Sequence, residues 1–197
     1  MADVIISYDY RCPFAKNMHL HLLAAQRAGL SHRLSFAPWT MSQGHRAPGA
    51  PDVWDDPTKM SDHLALFVSA SVRDQQPEYF AAVHEALFRG RHEKFVRLVT
   101  EEEIRSVLAE TGVDLNAVFA DVASGRCAEV IRDTFREFEG YEAFGVPTFV
   151  INGDATFIRY MEPPVNDTAS AELINSLITL MTTGAAINEF KHTRVPA

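Results

Sequence analysis

Apolar and polar positions along the chain divide it into a β-rich start, a helical middle and a β-rich return. DVIISY at residues 3–8 is a short β-branched run and predicts a buried strand. From residue 13 the spacing turns helical. Phe14, Met18, Leu22 and Ala25 form one stripe, and Gly29 supplies the stop. HRLSFAP at 32–38 alternates Leu34 and Phe36 with polar neighbours, as a second strand does. The Pro/Gly-rich stretch 39–58 predicts a long loop, and its Trp39, Met41 and Trp54 suit a packed lid or a tether. Residues 59–143 then read as helices. One begins at His63, and one spans Glu78–Phe88 behind Pro77. A third is opened by the capping box of Thr100 and Glu103 and ends near Gly112. Asp114 caps a fourth that runs to about Ser124, and Cys127–Glu139 forms the last. After Pro147 the period returns to that of strands, folded around Asn152-Gly153, a strong hairpin signal. A final helix over 168–182, capped by Asp167 or Thr168, leaves a polar tail expected on the surface.

The order β-α-β, helices, β-β-α predicts an α/β thioredoxin-like fold with an all-helical insertion. Residues 1–58 and 144–197 would form the thioredoxin-like domain and 59–143 the insertion. Composition fits this picture. A chain of 197 residues that is 47% hydrophobic and 22% charged can build its core without staples. A net charge of −8 and a pI near 5.4 argue against a nucleic-acid or anionic-membrane partner. No apolar run approaches a membrane span, and Met1-Ala2 leads directly into the first strand, so a cytoplasmic protein is expected. Two cysteines in such a setting argue against a structural disulfide.

The chemistry concentrates in YDYRCPFAK, residues 8–16. Cys12 precedes the helix as an N-cap, and Pro13 suits the first helical position because its missing N–H costs nothing there. Unpaired amides at a helix start favour a thiolate, the reactive form of cysteine, so a lowered thiol pKa is expected. Lys16 could add charge if it leaned back. The alternative is a small buried hydrophobe. Three residues on, where a partner cysteine would complete the pair, stands Ala15. Near the other end, Gly145-Val-Pro-Thr-Phe places Pro147 at the mouth of a strand. A cis bond there would leave the Val146 backbone free to pair with an extended substrate, whereas the ordinary reading is a turn proline.

YDYRCPF after the first strand, FGVPTFVINGDATFIRY near the end, and LAETGVDLNAVFADV in the helical block resemble the DsbA family of thioredoxin-fold thiol–disulfide oxidoreductases. The resemblance covers roughly residues 3 to 182 and lies nearest to cytoplasmic actinobacterial members with mycothiol-linked chemistry. It implies Cys12 as nucleophile, with Pro13 and Pro147 completing the catalytic set and Phe14, Ala15 and Val146 meeting substrate. Ala15 departs from the family's Cys-x-x-Cys pattern and removes the local resolving thiol. A single-thiol cycle is then implied, in which Cys12 captures a small-molecule or peptide thiol or disulfide. A low-molecular-weight thiol, glutathione or mycothiol, would release it as co-substrate, with no bound cofactor. Two other readings keep the fold. One resembles kappa-class glutathione transferases and hydroxychromene-carboxylate isomerases, in which the first-helix residue holds a cofactor thiol. The other is a non-catalytic binding module.

Cys127, the second cysteine, could resolve Cys12 only if the fold brought the two within disulfide reach, and a structural thiol is the alternative. The eight histidines show no metal-ligand spacing. His19 and His21 face different sides of a helix, and His84 and His92 are too far apart for a single-turn pair, so no metal is expected. Phe14, Phe144 and the aromatic residues of 39–54 could line an apolar pocket, with core packing the alternative for Phe144. Oligomeric state is left open.

Overall fold

The computed structural model describes residues 1–184, 186–189 and 191–192. In chain order it comprises β1 (Asp3–Tyr8), α1 (Pro13–Arg27), β2 (Arg33–Pro38), the four-residue α2 (Met41–Gly44), α3 (Leu64–Gln75), α4 (Pro77–His92), α5 (Glu101–Leu108), α6 (Leu115–Ala123), α7 (Arg126–Glu139), β3 (Thr148–Ile151), β4 (Asp154–Phe157) and α8 (Asp167–Thr183). The strands form one sheet in the order β2-β1-β3-β4. β1 and β2 run parallel from Asp3 opposite Arg33 to Tyr8 opposite Pro38, whereas β3 is antiparallel to both β1 and β4.

Local chemistry accounts for most of these elements. β3 is buried along its whole length, as a central strand of apolar residues must be, and the edge strand β4 is partly exposed. Asn152 and Gly153 both adopt positive φ, 55° and 88°, the backbone that a two-residue hairpin needs and that Gly adopts without penalty. The capping box of Thr100 and Glu103 is complete, with both reciprocal bonds made. Other boundaries differ from expectation. Asn166, rather than Asp167 or Thr168, caps α8 by accepting from the Ala169 amide. α5 stops at Leu108, short of Gly112, because the backbone and hydroxyl of Thr111 both bond the Leu108 carbonyl and turn the chain.

Packing puts the first helix at the centre. α1 lies against α8 and α4, while α7 packs on α3, α6 and β2. Residues 39–63 form neither an open loop nor a tether. Trp39 is buried and stacks on Phe135 of α7, with ring centroids 5.2 Å apart, and Trp54 tilts onto the same ring. These tryptophans therefore stitch the segment to the helical block instead of lining a pocket beside Cys12. Gly44 permits this approach, since a Cβ there would stand 2.7 Å from the Trp39 ring. Of the tail expected on the surface, residues 186–189 and 191–192 are exposed, and residues 185, 190 and 193–197 lie outside the described residues. Among the described residues no helix is long and apolar enough to cross a membrane.

Candidate active site around Cys12

β1 ends at Tyr8, and a tight turn returns the chain to α1: the Cys12 amide donates to the Asp9 carbonyl at 3.0 Å. Cys12 is the N-cap of α1, with extended backbone (φ −90°, ψ 116°) and Pro13 at the first helical position. Its sulfur accepts a hydrogen bond from the Ala15 N–H at 3.5 Å, so one of the unpaired amides of the helix start is directed at it. On the other side the thiol donates to the Val146 carbonyl at 3.4 Å. The Val146–Pro147 peptide is cis. The two sequence signals, 134 positions apart, thus meet at one sulfur.

Cys12 is only 5% exposed. Burial, the largest influence, pushes the thiol above its ordinary value; the Ala15 and Phe14 amides and the Arg159 charge pull it down without winning, and Asp9 adds to the rise. This overturns the expectation of a thiol lowered by its helix. The amide ends do act on the sulfur, but desolvation outweighs them. Lys16 does not lean toward Cys12 either. Its ammonium pairs with Glu93 at 3.2 Å.

The other expected site residues divide. Pro13 is exposed and Phe14 half-buried at the helix mouth. Ala15 is fully buried, so its methyl cannot touch a substrate, and its contribution is the amide on Cys12. Val146 is buried, its carbonyl engaged by the thiol and its N–H without a partner among the described residues. Phe144 is not core; it is 68% exposed, with its ring 5.0 Å from that of Phe157.

Arg159, which the sequence reading did not single out, completes the rim. Its guanidinium carbon lies 4.7 Å from the Phe14 ring centroid and 5.8 Å from that of Phe157. No motif marks it, because its place follows from how the irregular segment after β4 runs beside α1, where Asn17 bonds the Met161 carbonyl.

A polar network that no local pattern announced joins the elements that carry the thiol and the Val146–Pro147 loop. His19 Nε2 donates to the Ser7 carbonyl at 3.1 Å, which leaves Nδ1 as an acceptor for His84 Nε2 at 2.9 Å. His84 Nδ1 in turn accepts from the Tyr10 hydroxyl at 2.7 Å. Burial lowers His19 to about 3 and His84 well below its ordinary value, so both rings are neutral at pH 7. The Ser7 hydroxyl accepts from the Thr148 amide at 2.9 Å, and the Thr148 hydroxyl donates to the Gly145 carbonyl at 2.7 Å. One chain of bonds therefore fixes α1, α4, β1 and the loop carrying Val146 and Pro147 to one another. The Asp9 carboxylate, also buried, does similar work on the opposite side. It accepts from the Arg11 guanidinium, the Arg11 amide and the Met41 amide, which anchors the start of α2.

Cys127 lies elsewhere. It is buried in the first turn of α7, its thiol donating to Asp121 Oδ2 at 3.5 Å, and neither of these is a partner of Cys12. Both cysteines are free. Among the described residues no group of three or more His, Cys, Asp or Glu side chains is placed to hold a metal ion.

Among curated proteins there is no match. In fold the chain is similar to the oxidoreductase NmDsbA1 from N. meningitidis, at 15% identity over 94% of this chain and 86% of that one, TM-score 0.60. It is likewise similar to MdbA, a thiol-disulfide oxidoreductase from Actinomyces oris, at 18% identity over 92% and 80%, TM-score 0.61. Pseudomonas aeruginosa DsbA matches at 21% identity over 94% and 86%, TM-score 0.57. The family model of the DSBA-like thioredoxin domain matches residues 3–162, a span that holds Cys12, the inserted helices and the Val146–Pro147 loop, and the chain belongs to that family.

Proposed function

We propose that this protein is a thiol–disulfide oxidoreductase that works through Cys12 alone and is turned over by an external low-molecular-weight thiol such as glutathione or mycothiol. The observation that carries the reading is the meeting of the Cys12 sulfur with an amide of its own helix and with the Val146 backbone. Val146 is buried with its carbonyl held by the thiol, so a substrate that displaces this contact would meet the Val146 carbonyl and its unpartnered N–H for main-chain pairing. Phe14, Phe144 and Phe157 supply apolar contact for a small-molecule or peptide disulfide. Membership of a family whose solved relatives are oxidoreductases agrees with this chemistry.

The step balances without a bound cofactor. The Cys12 thiolate attacks a disulfide, one new S–S bond forms, the old one breaks, and the leaving sulfur departs with the electron pair and takes a proton from water. The external thiol then repeats the exchange on the mixed disulfide and returns Cys12 reduced. A thiol held above its ordinary pKa ionises less readily, and it is also the poorer leaving group. Capture by Cys12 and its release by the external thiol are therefore both expected to be slow, and with Ala15 in place of a resolving cysteine the mixed disulfide persists until that thiol displaces it. The same reading sets the protein in a reducing compartment, the cytoplasm, where Cys12 and Cys127 stay free.

The raised thiol also favours a second reading, in which Cys12 keeps its proton and holds the sulfur of a bound thiol cofactor, as in a transferase or isomerase. Intact-mass analysis after mixing with oxidised glutathione separates the two. The oxidoreductase gains one glutathione adduct that Cys12→Ser abolishes and added thiol removes. Reduced-thiol binding with no adduct would establish the second reading instead.

A further inference from the structure

We propose that Arg159 is a specificity-determining residue of this site, recognising a carboxylate of the low-molecular-weight thiol whose sulfur exchanges with Cys12. The inference rests on the oxidoreductase reading and names the chemical class of its small partner: an anionic, carboxylate-bearing thiol, in preference to a neutral sugar-conjugated one.

Three observations carry it. The first is position. The residue before Arg159, Ile158, donates its amide to the Pro147 carbonyl at 3.2 Å, so the chain enters this segment bonded to the loop opposite the thiol. Just beyond, Asn17 Nδ2 donates to the Met161 carbonyl at 2.7 Å and His21 Nε2 to the Glu162 carbonyl at 3.2 Å. Arg159 is thus clamped between the two halves of the site. The second is an unused charge. The guanidinium lies over Phe14, two residues from Cys12, and makes no ion pair with a carboxylate among the described residues. Arg159 shares that lack of an ion pair with Arg91, Arg97 and Arg136, but those lie on the helical block. At the site itself Lys16, the cation of the α1 first turn, is engaged by Glu93 and Arg11 by Asp9, which leaves Arg159 as the cation there with no carboxylate partner among the described residues.

The third is the electrostatic setting. A protein of net charge −8 repels an anionic thiol at long range, so such a partner needs a local cation at the point of capture. The first turn of α1 carries no acidic residue, so nothing on that helix start opposes the Arg159 charge. The charge does reach the sulfur, since it is among the influences drawing the Cys12 thiol down. A guanidinium stacked on an aromatic face and lacking an acid partner keeps its planar fork of donors available for bidentate contact with a carboxylate.

The exchange is the one already balanced above: an S–S bond forms between Cys12 and one glutathione, the S–S bond of oxidised glutathione breaks, and the other glutathione leaves as thiolate. The test measures the rate of adduct formation on Cys12 with oxidised glutathione and with the neutral bis(2-hydroxyethyl) disulfide, in the native protein, Arg159→Ala and Arg159→Lys. Taking the ratio of the two rates cancels any change in the thiol's own ionisation. Arg159→Ala is expected to lower that ratio about fivefold to tenfold, with Arg159→Lys recovering part of it and salt eroding it in the native protein. An unchanged ratio would overturn the assignment. Binding of the unreactive S-methylglutathione, expected to weaken by a similar factor in Arg159→Ala, decides the matter without any chemistry at Cys12. If neither disulfide labels Cys12 while S-methylglutathione binding still depends on Arg159, the exchange reading falls and the carboxylate site stands. If labelling occurs and neither readout depends on Arg159, the reverse holds.

Discussion

Two buried thiols sit at two helix starts in this molecule, and their surroundings set them apart. Cys12 is the cap residue of α1, so its sulfur accepts from an amide that the helix leaves unpaired; the Asp9 and Arg159 charges act on it in opposite directions, and a neutral network of histidines, tyrosine and serine ties the surrounding elements together. Cys127 lies inside the first turn of α7, past the cap, among the charges of Arg126, Asp121 and Asp74. Burial, followed by the Asp121 carboxylate, drives its thiol up to about 12. A helix start alone therefore does not make a reactive cysteine. Burial raises both thiols; the difference is that helix amides pull back on the capping sulfur of Cys12, whereas the Asp121 carboxylate is the second-largest influence on Cys127 and pushes it further up.

Acid separates the neutral histidine network from the charged surroundings of Cys127 with the largest expected effect. His19, depressed to about 3 when folded, titrates near 6.5 in the unfolded chain. The unfolded state then binds more protons between those values, so stability is full above pH 6.5 and is lost as pH falls toward 3. At pH 5 this costs about 2 kcal/mol, and thermal unfolding followed across pH 7 to 5 checks it. The Cys127 region holds over that range. Hydrogen bonding to Arg126 lowers Asp121 to about 2, so the contribution of its carboxylate is present above the ordinary value near 3.8 and is lost only below it. A smaller effect sharpens the comparison. Asp121→Asn removes the carboxylate but not the burial, and Cys127 should then alkylate about tenfold faster at pH 8 while Cys12 does not change.

Much of this site was legible in the chain because its signals are local. Cys12 followed by Pro13 specifies a capped helix start within two residues, and Asn152-Gly153 specifies the hairpin that delivers Val146 and Pro147. What escaped the sequence depends on residues that only the fold brings together. His19 and His84 are 65 positions apart, so within-helix spacing could test each histidine only against its own neighbours. Phe144 carries no mark that separates a core ring from a rim ring. The direction of the Cys12 shift was missed for the same reason: the helix amides are visible in the sequence, but the desolvation that outweighs them is a property of tertiary packing. Arg159 belongs with these, being defined by the ring it lies over.

The proposed function requires that one sulfur does the capturing and the other never takes part. Brief exposure of the native protein to oxidised glutathione, followed by non-reducing peptide mapping, tests it most directly. A single glutathione on the peptide containing Cys12, with Cys127 unmodified, is the predicted result. Glutathione on Cys127, or a peptide pair joined through Cys12 and Cys127, would contradict it.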